Sequence, residues 1–366
     1  MSVSEFSSDK EYKNMAQHFL RHRGSVLLVC LLFVTVCSLW MSYNVVSKTE
    51  LCETTAKQLP DLWFIQEAQM PKFVNFTEYI DRLRHDIAHH KALDPYFIPR
   101  DHKVNLYNYS FLIDGRNICQ GKSPFLLIVV PSVFDQQDER KVIRETWGSV
   151  VKTGQWSDGT KLPVIKLMFL FGLRNDTSIY AKLKNESLEY GDVVLADFVD
   201  SYRNLTIKSM SALYWTTQFC SDAKYLLKND ADTIVYLPRL VHLMKKNFTN
   251  TIIGHEGQVL SVTRGGSIKR WIVSKEEYPP DKYPPYILGN FYAIPKDLIS
   301  KLFHVSQYIP YLSMEDVFIT GVVRITMDAE LKHERACLTA CKFYKTKISF
   351  TVGIGRLREA WEALSR

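Results

Sequence analysis

The stretch YLLKNDADTIVYL, Tyr225 to Leu237, decides how the chain is read. Its apolar residues read as a buried strand, yet Asp230 and Asp232 sit near its middle. Burying one carboxylate is costly, and two close together cost more because like charges repel. A basic side chain, a helix N-terminus or a metal ion must neutralise them. Residues two apart on a strand point to the same face. The pattern therefore predicts both carboxylates side by side at the end of a strand.

Upstream, strand and helix patterns alternate. PFLLIVVPS (124–132) is a continuous apolar run, as expected of a strand covered on both faces. DQQDERKVIRETWGS (135–149) follows as a helix, with Asp138 as its cap, Val142, Ile143, Thr146 and Trp147 as its stripe, and Gly148 at its C-terminal turn. VIKLMFLFG (164–172) is a second buried strand, and DTSIYAKLKNESLEYG (176–191) a helix with Ile179, Leu183 and Leu188 inward. DVVLADF (192–198) is a third strand. LTIKSMSALYWTTQFC (205–220) is a third helix facing Met210, Leu213, Tyr214 and Phe219 inward. The Asp-x-Asp strand is then the fourth. This alternation predicts an α/β fold, a mostly parallel sheet with helices on both faces. After it, GGSIKRWIVSKEEYPPDKYPPYILGNFYAI (265–294) is rich in Tyr, Pro and Gly and reads as short antiparallel pieces and shaped loops forming a binding surface. No internal repeat or low-complexity tract is present.

In open α/β sheets, ligands bind beyond the C-terminal ends of the strands. Two hard oxygen ligands there suit Mg²⁺ or Mn²⁺, which take few protein carboxylates and fill other positions with water and substrate phosphates. A solvated turn is the plainer reading of an isolated Asp-x-Asp, and its place after a long apolar strand favours a site. A second acidic pair, Glu315–Asp316, opens the apolar EDVFITG segment. It reads either as a general base or as an acidic cap at a helix N-terminus.

The chain has 366 residues and a net charge of +7, with nearly half its residues hydrophobic. That composition supports a sizeable core and excludes a disordered chain. The charge is spread in short clusters without a long basic run or a nucleic-acid motif, so it reads as a solvated surface and not as a nucleic-acid interface. RHRGSVLLVCLLFVTVCSLWMSY (21–43) holds an uncharged span from Gly24 to Tyr43, ~20 residues and long enough to cross a bilayer. Arg21 and Arg23 precede it, which sets the N-terminus in the cytosol. The span is longer than the apolar core of a cleaved signal and ends in Trp40, Met41 and Tyr43, which suit a membrane interface. Asn-x-Ser/Thr triplets at Asn75, Asn108, Asn175, Asn185, Asn204 and Asn247 all lie beyond it. The expected organisation is a cytosolic tail (1–23), a transmembrane signal-anchor (24–43), a luminal stem (44–118) and a catalytic domain (119–366).

In the stem, FTEYIDRLRHDIAHHKAL (76–93) suits a short amphipathic helix with Tyr79, Leu83 and Ile87 on one face. His85 and His89 lie one turn apart, but no third metal ligand is evident, and they read as solvated. Beyond the span, Cys52, Cys119, Cys220, Cys337 and Cys341 form an odd set for an oxidising lumen. Cys52 is the candidate to stay free or to bridge two chains as a homodimer. Cys337 and Cys341 lack the histidine spacing of a zinc site.

The blocks ERKVIRETWGS, FLFG, EYGDVVLADFVDSYRNLTIKSMSALYW, KYLLKNDADTIV, YPPYILGNFYAI and EDVFITG, in this order over about 125–325, resemble the β-1,3-galactosyltransferase family of Golgi enzymes, which includes β-1,3-N-acetylhexosaminyltransferases. The resemblance implies a glycosyltransferase-A fold and an inverting, metal-dependent transfer from a UDP-sugar to the 3-hydroxyl of an acceptor on a glycoprotein or glycolipid, in the Golgi membrane. It implies that Asp230 and Asp232 hold the metal and diphosphate, that Asp316 is the base, and that Glu315 is the fallback. Arg140 and Arg144 match the basic residues before the family's Thr-Trp-Gly, where Arg144 reaches the nucleotide or packs at the sheet. Asp200, Tyr202 and Lys208 fall in the donor pocket or its support, with Tyr202 assigned to support.

Three departures stand out. Many relatives have three consecutive aspartates where this chain has Ala231 in the middle. Ile287 and Val322 replace cysteines that many relatives carry. One extra residue stands between Asp316 and Gly321. The competing reading is an inactive luminal chaperone or sugar-binding relative, which has no physical reason to keep Asp230, Asp232 and Asp316 together. Galactose is the default donor sugar, with N-acetylhexosamines as the alternatives.

Overall fold

In the computed structural model, Phe76–His89 forms the expected amphipathic helix, α1. The structure describes residues 76–89, 94–121, 123–174, 176–257, 260–336, 338, 347–353 and 355–365. The expected span at 24–43, along with Cys52, Cys337 and Cys341, lies outside them. Among the described residues no helix is long and apolar enough to cross a membrane.

α1 is not a spacer set apart from the catalytic domain. Ile80 and Leu83 are buried in the main core, and Phe76 stacks on His304 with ring centroids 3.8 Å apart. Tyr96 and Phe97 join the same core, and Phe111–Ile113 (β1) pairs antiparallel with a later strand. The segment read as stem thus shares its core and its sheet with the residues that follow 118. The sequence hid this because β1 is only three residues long and sits among polar residues.

The central elements follow the alternation. Leu126–Pro131 (β2), Gln137–Glu145 (α2), Ile165–Leu173 (β3), Thr177–Tyr190 (α3), Val193–Val199 (β4), Leu205–Phe219 (α4) and Tyr225–Asn229 (β5) come in turn. Then come Thr233–Val235 (β6), Leu237–Met244 (α5), Thr251–Glu256 (β7), Ile287–Pro295 (β8), Lys296–Ser306 (α6), Glu330–His333 (β9), Ser349–Thr351 (β10) and Leu357–Ser365 (α7). The main sheet runs β1-β4-β3-β2-β5-β8-β7-β9. Its centre, β4-β3-β2-β5, is parallel. β8 is antiparallel to both β5 and β7, so the sheet is mixed, with a parallel core extended by the irregular half of the chain.

Successive residues of each central strand feed opposite cores, as strand geometry requires. Leu127, Val129, Met168 and Leu170 face α4 and α6, while Leu126, Ile128, Leu167 and Phe169 face α2, α3, α5 and α7. α4 is buried nearly all round, with polar Thr206, Lys208, Ser209 and Ser211 inside as well as Met210, Leu213 and Trp215. Two details of the helix reading change. Gln136, not Asp138, precedes α2, and Asp138 sits in its first turn. Leu188 is 79% exposed, in the last turn of α3 before its Gly191 cap, and does not face the core.

Cys119 and Cys220 are disulfide-bonded across a separation of 101 residues, tying the entry to β2 to the end of α4. A closed loop of about 100 residues is worth up to ~4.7 kcal/mol in chain-entropy terms. Replacing both cysteines with alanine is therefore expected to lower unfolding stability by about 2–5 kcal/mol, read by urea denaturation against the oxidised wild type.

Candidate active site

β5 stops at Asn229, and Asp230–Thr233 forms a tight turn closed by Thr233 N–H donating to the Asp230 carbonyl at 3.1 Å. The two aspartates thus stand on a turn between β5 and β6 and not on a strand. The expectation of side chains aligned by strand alternation is corrected: the turn, not the pleat, sets their direction. Ala231, between them, is buried in the apolar core and not offered as a third carboxylate. Asn229 Nδ2 braces the turn by donating to the carbonyls of Asp230 (3.0 Å) and Thr233 (2.8 Å). From the next strand, Asp230 N–H donates to the Asn290 carbonyl at 3.0 Å, and β10 supplies Thr351, which bonds Thr233 and Asn290.

The opening question has a first answer in Lys228, which sequence reading passed over. Its buried ammonium donates to Asp230 Oδ1 at 2.6 Å and to the Gly289 carbonyl, and lies 3.8 Å from Glu315 Oε2. Burial alone would depress the Lys228 ammonium, but Asp230 and Glu315 outweigh it and hold its pKa well above the usual range. The signal was available: Lys228 and Asp230 are two apart at the end of an apolar strand.

Among the described residues Asp232 has no such partner. Burial, then the charge of Asp230, pushes its carboxyl above the ordinary range. Beside the turn, Asn229 Oδ1 on β5 and Asn290 Oδ1 on β8 are buried acceptors with no hydrogen-bond partner among the described residues. This surplus of acceptors and uncompensated negative charge fits a hard divalent cation with few protein ligands. Among the described residues no group of three or more His, Cys, Asp or Glu is arranged as a complete protein-only cage.

Glu315 and Asp316 part company. Glu315 is buried, and its Oε1 accepts from Ser209 Oγ at 2.6 Å and from Tyr292 Oη. Asp316 stands half-buried at the head of Val317–Val323, a seven-residue π-helical run. Its Oδ1 accepts from Val317 N–H at 2.9 Å and its Oδ2 from Gly289 N–H at 3.0 Å. A Cβ at residue 289 would stand 3.2 Å from Asp316 Cβ, so glycine is what lets the two segments meet. Burial, then the Glu315 charge, pushes the Asp316 carboxyl up to about 6. Asp316 is thus both cap and candidate base, joining the two sequence readings.

Val317–Val323 is π-helical, a form whose turns are one residue wider than those of an α-helix. Thr320 lies within it: its hydroxyl donates to the Asp316 carbonyl at 2.6 Å and accepts from Ile287 N–H at 2.8 Å. Ile287 and Val322 are both fully buried in one apolar core.

The expected nucleotide contacts of Arg140 and Arg144 gain no support. Arg140 is fully buried, bonding Glu186 at 2.8 and 2.7 Å and the Val133 carbonyl at 2.9 Å. Arg144 bonds Asp192 and Glu186 and lies 3.9 Å from the Tyr190 ring centroid. Burial pushes Glu186 up, but the two guanidiniums outweigh it and hold its carboxyl below the usual range. This cluster braces α2, α3 and the start of β4. Arg140→Met, which leaves Glu186 short of a partner in the interior, is expected to destabilise by about 3–5 kcal/mol in a urea titration.

Lys208 is also internal, bonding Asp200 at 2.8 Å and the Ser132 carbonyl at 3.0 Å, with burial pushing its ammonium down. Lys208, Ser209, Lys228 and Tyr292 line one small pocket. Tyr202, expected to be a supporting residue, is instead 41% exposed.

The galactosyltransferase family model matches residues 138–335, more than half of the chain. Human beta-1,3-galactosyltransferase 5 is 31% identical over 257 residues, covering 67% of this chain and 80% of the relative. Mouse beta-1,3-galactosyltransferase 1 is 27% identical over 276 residues, covering 73% and 82%. Among solved structures, the galactosyltransferase LgtC, determined with donor and acceptor sugar analogues, aligns at 10% identity and a TM-score of 0.34 over 65% of this chain and 95% of that one. The matched span contains the Asp230–Asp232 turn, Lys228 and the Glu315–Asp316 pair, and on this ground the chain belongs to the galactosyltransferase family.

Proposed function

We propose that the protein transfers galactose from UDP-galactose to the 3-hydroxyl of an acceptor sugar, inverting the anomeric centre to form a β-1,3 linkage, within the Golgi lumen on a glycosyltransferase-A fold. The observation that carries this reading is the pairing of Asp232, its charge uncompensated beside the Lys228-held Asp230 at the end of β5, with the raised carboxyl of Asp316 across Gly289. Asp230 and Asp232 would hold Mn²⁺ or Mg²⁺, which when bound supplies positive charge against the departing diphosphate.

The chain's own residues supply the rest. Asp316 takes the proton from the acceptor hydroxyl as its oxygen attacks, and each carboxylate oxygen keeps a lone pair beyond its single backbone bond. Glu315 is committed to Ser209 and Tyr292, so it positions and does not act as the base. Lys228 holds Asp230 and the Gly289 carbonyl together, fixing the turn against β8. The exposed positions of Asn108, Asn185 and Asn247 and the Cys119–Cys220 bond support an oxidising, glycosylating compartment.

A donor comparison tests this. Full-length protein in detergent would be given UDP-galactose, UDP-N-acetylglucosamine or UDP-N-acetylgalactosamine with mixed β-glycoside acceptors, and the product linkage read by NMR. UDP-galactose is expected to give the largest turnover and a β-1,3 product. Preference for another donor, or another linkage, contradicts the reading.

A further inference from the structure

Tyr202 and Trp271 are each 41% exposed, an unusual use of large rings beside a polar site. Their polar atoms bond each other, Trp271 Nε1 donating to Tyr202 Oη at 3.1 Å, so the ring surfaces are what they offer outward. The Arg270 guanidinium carbon lies 5.5 Å from the Tyr202 centroid and 5.6 Å from that of Trp271.

This cluster is anchored to the site by Arg203. Its guanidinium donates to the Ile272 carbonyl at 2.7 Å, next to Trp271, and to Ser313 Oγ at 2.8 Å, three residues before Asp316. Tyr311 Oη closes the brace by donating to the Arg203 carbonyl at 2.6 Å. The rings also sense the catalytic charges: burial first, then Asp316 and Asp230, raise the Tyr202 hydroxyl above its ordinary value.

We infer that Trp271 and Tyr202, with Arg270, form a stacking platform for the pyranose ring of the acceptor sugar, an assignment that rests on the transferase reading above. A pyranose offers one apolar C–H face and a rim of hydroxyls. Rigid amphipathic rings suit the face at low entropic cost, and a guanidinium supplies donors to the rim. The acceptor is favoured over the donor because the platform is braced to the Asp316 segment and opens to solvent. An acceptor glycan must leave the site through such an opening, whereas the donor sugar is held inward by its diphosphate.

The test uses full-length protein in detergent and the para-nitrophenyl β-glycosides of galactose, N-acetylglucosamine and N-acetylgalactosamine. Saturation-transfer NMR is expected to show the ring C–H protons of at least one glycoside against wild type, little against Trp271→Ala, and most of the signal restored by Trp271→Phe. With UDP-galactose, Trp271→Ala is expected to raise the acceptor KM about ten-fold or more while the donor KM stays within about twofold. An unchanged acceptor KM, a parallel rise in donor KM, or no saturation transfer to wild type would overturn the platform. Glycoside saturation transfer needs neither donor nor metal, so a failure of the donor reading shows separately, as absent turnover with glycoside binding intact.

Discussion

Asp316→Asn is expected to cut kcat by about 10²–10⁴-fold, the usual contribution of a positioned general base, while the protein stays folded. An amide keeps an acceptor oxygen for Gly289 or Val317 N–H but cannot take the acceptor proton. The pH dependence gives a second readout. Asp316 must be ionised to act, and burial with the Glu315 charge holds its carboxyl up to about 6. kcat/KM should therefore rise with pH through about 6 in wild type and fall away below it. The same limb should vanish from the residual activity of Asp316→Asn. A limb that survives the substitution would assign the base elsewhere.

Asp232→Ala is expected to abolish metal-dependent donor binding without loss of stability. The side chain gives the fold little: it accepts from Thr233 Oγ1 at 3.1 Å, and its charge repels Asp230. Removing it relieves that repulsion, so the thermal midpoint should hold or rise while affinity for UDP in Mn²⁺ is lost. Calorimetric titration of UDP and a melting curve on the same sample separate the two effects. A large fall in melting temperature would mean that the carboxylate is structural.

The parallel centre of the sheet was legible because its strands are unbroken apolar runs, and β2 and β3 lie where those runs lie. Helix ends with local signals were legible too, such as Asp176 capping α3 and Gly191 ending it. What escaped depended on contacts far apart in sequence. The pairing of β1 with β4 joins residues more than eighty positions apart and leaves no periodic trace. Glu186, the partner that takes up Arg140 and Arg144, stands on the next helix, so charge pattern alone could not separate a nucleotide contact from an internal brace.

The candidate site divides in the same way. Asp230, Asp232, Glu315 and Asp316 were named from the sequence, and the structure brings Asp230 and Asp316 towards the same strand, β8, at Asn290 and Gly289. Their environments were not legible. Glu315 is taken out of play by Ser209 and Tyr292, which come from other elements, while Asp316 is raised by burial and by the Glu315 charge. Lys228 was the local residue that strand alternation could have supplied. Tyr202 was placed in support from the sequence, and only the fold shows its ring partly at the surface.

The central claim is that the Asp230–Asp232 turn holds a nucleotide-sugar through a divalent ion for transfer. It is tested most directly by UDP release from UDP-galactose by full-length protein with acceptor glycosides, in Mn²⁺ and in excess chelator, for wild type and Asp232→Ala. The account predicts release by wild type in Mn²⁺, and its loss both in chelator and in the variant. Equal release in chelator and in Mn²⁺, or undiminished release by Asp232→Ala, would contradict it.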